Sequence, residues 1–154
     1  MMFQQTLTTP CGPLIISAGN RGITSVTFAE PEHDDHPGEL TRQACRELSQ
    51  YLAGEPVQFT VPLEVTGTPF QQRVWQALTA VPHGQTRTYG GIATMLNNPK
   101  AVRAVGAANG KNPVAIIVPC HRIIGANKKL TGYAGGLWRK QFLLELEGIN
   151  DLCQ

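Results

Sequence analysis

The stretch Asn112-Pro113-Val114-Ala115-Ile116-Ile117-Val118-Pro119-Cys120-His121-Arg122 decides how this chain is read. Its apolar run, Val114 to Val118, predicts a short buried strand. Pro119 ends that strand, and a thiol, an imidazole and a guanidinium follow in a row. A buried strand that delivers such a group to its end places a nucleophile on a rigid support. The plain alternative is a core cysteine, since free cysteine is among the most buried residue types. Neighbouring cations favour reactivity, because they lower the pKa of a thiol. Successive side chains of a strand point to opposite faces. Cys120 and His121 therefore cooperate only if the chain bends at Pro119 or a water joins them.

The surrounding charge is uneven. No Asp or Glu occurs from Thr68 to Lys140, while Arg73, Arg87, Lys100, Arg103, Lys111, Arg122, Lys128, Lys129, Arg139 and Lys140 lie in it. The residues before Thr68 carry three arginines against eight acids, and the formal net charge of +2 conceals this division. A basic middle implies an anionic partner, with nucleic acid the natural candidate; a solvated face balanced by the acidic N-terminal part is the bland reading. Cys11, Cys45, Cys120 and Cys153 are far apart and form no C-x-x-C pair, which disfavours a zinc cluster or a disulfide framework and fits a reducing compartment. No transmembrane run or signal peptide is read, so the expected location is cytoplasmic and nucleoid-associated.

The N-terminal part reads as α/β. Phe3–Leu7, Leu14–Ala18 and Ile23–Phe28 are expected strands separated by Pro- and Gly-containing turns, pairing as an antiparallel meander. The acidic segment 30–38 holds His33 and His36, and an exposed loop is favoured over a metal site there. Residues 39–52 form an amphipathic helix, and 57–65 are expected to add a strand. A boundary near Thr66-Gly67 divides the chain into domains 1–66 and 67–154. Beyond it Thr68-Pro69-Phe70-Gln71 is a capping box that opens a helix to about Val81. Thr88 caps a short helix through Leu96, Asn98-Pro99 opens another to about Asn109, and the spacing is that of a helix-turn-helix. The second of these helices bears Lys100 and Arg103 among Ala101, Ala104, Gly106, Ala107 and Ala108, a smooth face suited to a groove or to close helix packing. A last helix, 137–146, is expected to bury Leu137, Phe142, Leu143 and Leu146. Residues 132–136 are Gly-rich but carry no nucleotide-binding pattern, so no cofactor is expected. A base for Cys120 needs an orienting partner, and with no acid between Thr68 and Lys140 the candidate from the basic half is Glu147. A thiolate on a DNA-binding scaffold points to chemistry on a base flipped out of the duplex, with Arg103 filling the vacated stack.

The segment Val118-Pro119-Cys120-His121-Arg122-Ile123-Ile124-Gly125 resembles the active-site signature of the O6-alkylguanine-DNA alkyltransferases. The resemblance extends to Gly67-Thr68-Pro69-Phe70-Gln71, Tyr89-Gly90, residues 104–110, Asn112-Pro113, Gly132-Tyr133-Ala134-Gly135-Gly136 and Glu147-Gly148, covering residues 67–148. It implies a ribonuclease-H-like N-terminal lobe and a winged-helix-like, DNA-binding catalytic domain. It implies single-turnover repair of double-stranded DNA containing O6-alkylguanine, with O4-alkylthymine left open, by transfer of the alkyl group to Cys120. His121 would be the base, Glu147 its orienter and Asn112 the holder of the active-site turn. Tyr89, Tyr133 and Ala134 would serve the substrate pocket, and Arg103, Asn98, Gly90 and Ala126 the DNA. The protein would act as a monomer without cofactor or membrane. Some members of the family hold structural zinc in the N-terminal lobe, and no ligand set here answers to it, although Cys11, His33 and His36 stay open. A lesion-sensing DNA-binding module without transfer is the alternative.

Overall fold

The computed structural model describes residues 1–153 and divides the chain into two compact units, 1–66 with 113–117, and 67–112 with 118–153. Residues 113–117, expected in the second domain, thus belong with the first.

The first unit is a sheet of three antiparallel strands, β1 (Phe3–Leu7), β2 (Leu14–Ala18) and β3 (Ile23–Phe28), in sequence order. Register runs from Phe3 opposite Ala18 to Leu7 opposite Leu14, and from Leu14 opposite Phe28 to Ala18 opposite Ile23, with a bulge at Ser17/Ala18. Alternation places Leu14, Ile16 and Ala18 on one face, all fully buried. Helix α1 (Glu39–Leu52) covers this sheet with Ala44, Cys45, Leu48 and Tyr51. Each aliphatic side chain so buried contributes about 1.5–3 kcal/mol. The hydroxyl of Thr41 caps the helix, accepting from the Gly38 amide at 2.9 Å and donating to the Gly38 carbonyl at 3.0 Å.

The strand expected at 57–65 does not form. Only a parallel bridge of Leu63 to Ile23 survives, its amides and carbonyls shared between Ile23, Pro62 and Glu64. This join depends on Gly22, where a Cβ would lie 2.7 Å from the Leu63 carbonyl carbon and 2.8 Å from the Glu64 nitrogen. Gly22→Ala pushes backbone against backbone, so about 1–3 kcal/mol of stability should be lost. Urea unfolding that leaves the midpoint unchanged would contradict this packing.

The second unit is mostly helical. Helix α2 (Pro69–Thr79) starts as its capping box predicts: Thr68 Oγ1 accepts from the Gln71 amide at 3.1 Å, and Gln71 Oε1 accepts from the Thr68 amide at 3.0 Å. It packs with α3 (Tyr89–Met95) and α4 (Val102–Gly110) around Val74, Leu78, Ile92, Ala93, Val105 and Ala108. The Trp75 indole donates to the Ala108 carbonyl at 2.8 Å. Asn98 does not cap α4, which begins at Val102 after an Ala101 cap. The α3–α4 turn uses Asn97 in the left-handed region (φ 57°), and residues 98–101 close a further turn before the helix starts. A pair of residues on each side, β4 (Arg87–Thr88) and β5 (Ile123–Ile124), forms a parallel ladder that was not anticipated. Helix α5 (Leu137–Leu146) closes the unit, followed by Gly148 at φ 88°.

Candidate active site

The opening stretch is not a strand. Within it Val114 makes a single parallel bridge to Val26, and Ile116 is held at φ 72°, a strained conformation for a β-branched residue that costs about 1–3 kcal/mol. In the second unit the Cys120 amide donates back to the Val118 carbonyl at 2.8 Å around Pro119 (φ −81°, ψ 63°), a tight inverse γ-turn. Cys120, His121 and Arg122 then form one turn of 3-10 helix. Pro119 therefore supplies the bend that cooperation required, and alternation no longer separates the thiol from the imidazole.

All of this turn is buried: Cys120 is 6% exposed and His121 fully covered. The imidazole Nε2 lies 2.7 Å from Glu147 Oε2. Glu147 sits just past the end of α5 and receives the Gly84 amide at 2.9 Å and Arg122 Nε at 2.9 Å on Oε1, with Arg122 Nη2 at 3.2 Å from Oε2. Burial opposes ionisation of this carboxyl, yet the bonds from His121, Arg122 and Gly84 hold it well below the usual carboxylate range. Burial lowers the His121 pKa against the opposing pull of Glu147 and so favours the neutral ring. An ionised carboxylate at Nε2 can only accept, so Nε2 carries the hydrogen and Nδ1 carries the lone pair.

The Cys120 thiol is pushed up by burial. The side chain of Asn112, the charge of Lys140 and the side chain of Tyr133 work against that burial. Asn112 also donates Nδ2 to the Val118 carbonyl at 2.8 Å, so it braces the turn on which the thiol stands. Tyr89 begins α3, lies against Gly106 of α4, and shares a 3.0 Å hydrogen bond with Thr131, two residues before Tyr133. Ala134, Asn98, Arg103 and Ala126 are exposed, and Gly90 is partly so. The structure thus gathers Cys120, His121, Glu147, Asn112 and Tyr133, and leaves the expected DNA contacts on the surface of the same unit.

Two groups were missed, Lys140 and Asn109, and Arg122, expected to act on the thiol, is placed elsewhere. Arg122 turns its guanidinium to Glu147 and to the Val81 carbonyl (2.7 Å), and the cation that bears on the thiol is Lys140. Lys140 is fully buried, and its ammonium donates to the carbonyls of Ile123, Thr131 (2.9 Å) and Gly132 (3.4 Å); burial lowers its pKa to about 8. Asn109, 5% exposed, reaches the Cys120 carbonyl at 3.5 Å. A signal for Lys140 existed. The buried face of α5 runs through Lys140, Leu143, Leu144 and Glu147, while Leu137 is 46% exposed. Two charges at i and i+7 of a buried stripe mark a functional pair. The tempting metal candidates resolve differently: Cys11 is fully buried, and His36 stacks on Phe3 with ring centroids 5.6 Å apart.

Fold and site define a class: a buried cysteine beside a His–Glu pair, carried by the unit that holds most of the acid-free basic stretch. Comparison with known proteins makes this specific. The description of the 6-O-methylguanine DNA methyltransferase DNA-binding domain matches residues 69–149, and that of its ribonuclease-like domain matches residues 2–65. A methylated-DNA–protein-cysteine methyltransferase of Methanosarcina acetivorans is 49% identical, with 96% of this chain and 99% of that one covered. Its counterpart in Mycobacterium tuberculosis is 47% identical over 96% of this chain and 93% of its own. The crystal structure of Mycobacterium tuberculosis O6-methylguanine methyltransferase superposes with a TM-score of 0.85 at 47% identity, covering 96% and 93% of the two chains. Mycobacterium tuberculosis OGT in complex with DNA superposes with a TM-score of 0.84 at 46% identity, covering 94% and 92%. The chain belongs to the 6-O-methylguanine DNA methyltransferase family and is an enzyme of the methylated-DNA–protein-cysteine methyltransferase class.

Proposed function

We propose that this protein repairs DNA by direct reversal, taking the alkyl group of O6-alkylguanine onto Cys120 in one step. What carries this reading is the 2.7 Å His121–Glu147 contact one residue from a buried thiol, in a unit rich in exposed cations. The target base lies inside a duplex and must be extruded, at a cost of a few kcal/mol. Arg103, exposed on α4 among small side chains, fills the space it leaves, while Asn98, Gly90 and Ala126 meet the backbone. Tyr89 and Tyr133, with Ala134, receive the base.

At rest burial keeps Cys120 a thiol. His121 Nδ1 takes its proton through a water, and the imidazolium so formed is stabilised by Glu147. The thiolate attacks the alkyl carbon, a sulfur–carbon bond forms, and the carbon–O6 bond breaks with its electron pair going to oxygen. Lys140 and the Tyr133 hydroxyl favour charge on the sulfur as it develops. The base takes up a proton and is restored as guanine. The thioether is a poor leaving group, so one monomer repairs one base and is spent. Such a protein works where the chromosome lies, in the cytoplasm or nucleoid; among the described residues no helix is long and apolar enough to cross a membrane.

Duplex carrying O6-methylguanine labelled in its methyl group should transfer label to the protein up to one equivalent, mapped to the peptide of Cys120. Tight binding without transfer would instead identify a lesion sensor, and repeated turnover would exclude a consumed acceptor.

A further inference from the structure

We propose that Arg122 is a positioning residue for the transfer: its guanidinium locks Glu147 in the pose that keeps His121 a neutral base. The inference rests on the reading of Cys120 as acceptor and His121 as base.

Arg122 is 8% exposed and spends its donors on two targets. Nε and Nη2 meet both oxygens of Glu147, at 2.9 and 3.2 Å, a side-on fork that fixes the carboxylate plane. Nη1 donates to the Val81 carbonyl at 2.7 Å, which anchors the fork to the chain just beyond α2. With the Gly84 amide also on Oε1, Oε2 is left aimed at His121 Nε2. The fork has an electrostatic consequence as well as a geometric one. A carboxylate facing an imidazole alone favours the imidazolium, and an imidazolium cannot take the proton of a thiol. Arg122 neutralises Glu147 and adds its own positive charge beside the ring, so Glu147 orients the imidazole without charging it.

The other groups that bear on His121 agree with this division. Cys120 and Arg122 share its turn, and α5 contributes Lys140, whose charge also disfavours the imidazolium, and Glu147. The remaining charges of α5 are engaged elsewhere, Arg139 with the Gly135 carbonyl and Glu145 with Gln141. Helix α2, which packs on this turn, carries one ionisable side chain, Arg73, bonded to the Leu96 carbonyl at 2.9 Å. Among the described residues Glu147 is thus the negative group drawing a proton onto the ring, and Arg122 is the cation that holds it.

The test measures single-turnover methyl transfer from pH 5 to 9 in the full chain and in Arg122→Gln and Arg122→Lys, together with the nitrogen chemical shifts of His121. Loss of Arg122 raises the pKa of His121, so the acid limb of the rate profile should move to higher pH by about one unit in Arg122→Gln. The rate above that limb should recover to within a few-fold, and Arg122→Lys, which keeps charge without the fork, should fall between. A uniform loss of rate with the limb unmoved overturns the proposal and leaves Arg122 a structural residue. If the variants do not fold, the unsubstituted protein still decides: His121 must be neutral at pH 7 with its hydrogen on Nε2, and an imidazolium there overturns the proposal. Failure of the acceptor reading is distinct, since it appears as no transfer by the unsubstituted protein at any pH.

Discussion

Glu147→Gln is expected to slow methyl transfer by about a hundredfold to ten-thousandfold and to cost about 3–5 kcal/mol of stability. Both effects follow from what converges on this one side chain. Its carboxylate takes four donor contacts, from His121, from two nitrogens of Arg122 and from the Gly84 amide. Glutamine keeps the shape and removes the charge, which leaves the buried Arg122 guanidinium uncompensated. Its amide can also turn NH2 toward His121, which places the ring hydrogen on Nδ1 and removes the acceptor that the thiol proton needs. Against a total stability of about 5–15 kcal/mol the variant folds, but with a narrow margin.

The pH dependence carries the same signature. Glu147 is held below its ordinary value in the folded state, so its contribution is present above the unfolded pKa of about 4.3 and is lost as pH falls toward the folded value. His121, neutral when buried, gives a contribution present above about pH 6.5 and lost below it. Urea midpoints of the unsubstituted protein should therefore fall in two stages on acidification, and Glu147→Gln should lack the lower stage. A transfer rate within threefold of the unsubstituted protein's (a change of about 0.65 kcal/mol) would remove Glu147 from the mechanism.

Cys120→Ser should abolish transfer, by more than about a hundredfold, while affinity for methylated duplex holds within a few-fold. The oxygen is smaller than sulfur, holds its proton more tightly and is the poorer nucleophile toward an alkyl carbon, so the step slows steeply at the same pH. The remaining cysteines offer no substitute at the site. Cys11 is fully buried in the first unit, and Cys45 is held as a thiol by burial and by Asp35, with its pKa raised to about 11. Cys153 is the exposed thiol among the described residues, and it makes a useful control. Label appearing on Cys153 in Cys120→Ser would indicate adventitious alkylation, whereas full transfer at one equivalent would show that Cys120 is not the acceptor.

Much of this molecule is determined locally. The period-2 runs at residues 3–7, 14–18 and 23–28 became the strands they predicted, and the Thr68 capping box opened α2 where it should. Those features rest on propensity and on hydrogen bonds a few residues apart, which a linear sequence carries in full. The acid-free basic stretch and the Cys120–His121–Arg122 cluster likewise pointed to a nucleophile acting on DNA before any geometry was available. What the sequence could not decide was direction. Val114 to Val118 has the composition of a strand, but Ile116 sits at positive φ and the run makes only isolated bridges, because its partners are set by packing rather than by its own periodicity. The face of α5 was misread by one step, since Leu137 and Phe142 looked like core until Lys140 and Glu147 claimed the buried stripe. A buried charge defies the hydrophobic pattern and is tolerated only where distant groups complete it: carbonyls from residues 123, 131 and 132 for Lys140, and Gly84 and Arg122 for Glu147. The sequence by itself marked the candidate reacting atoms and the kind of partner. Only the tertiary structure placed one cation beside the thiol and another beside the base's carboxylate, because that depends on contacts made across 8 to 63 residues of chain.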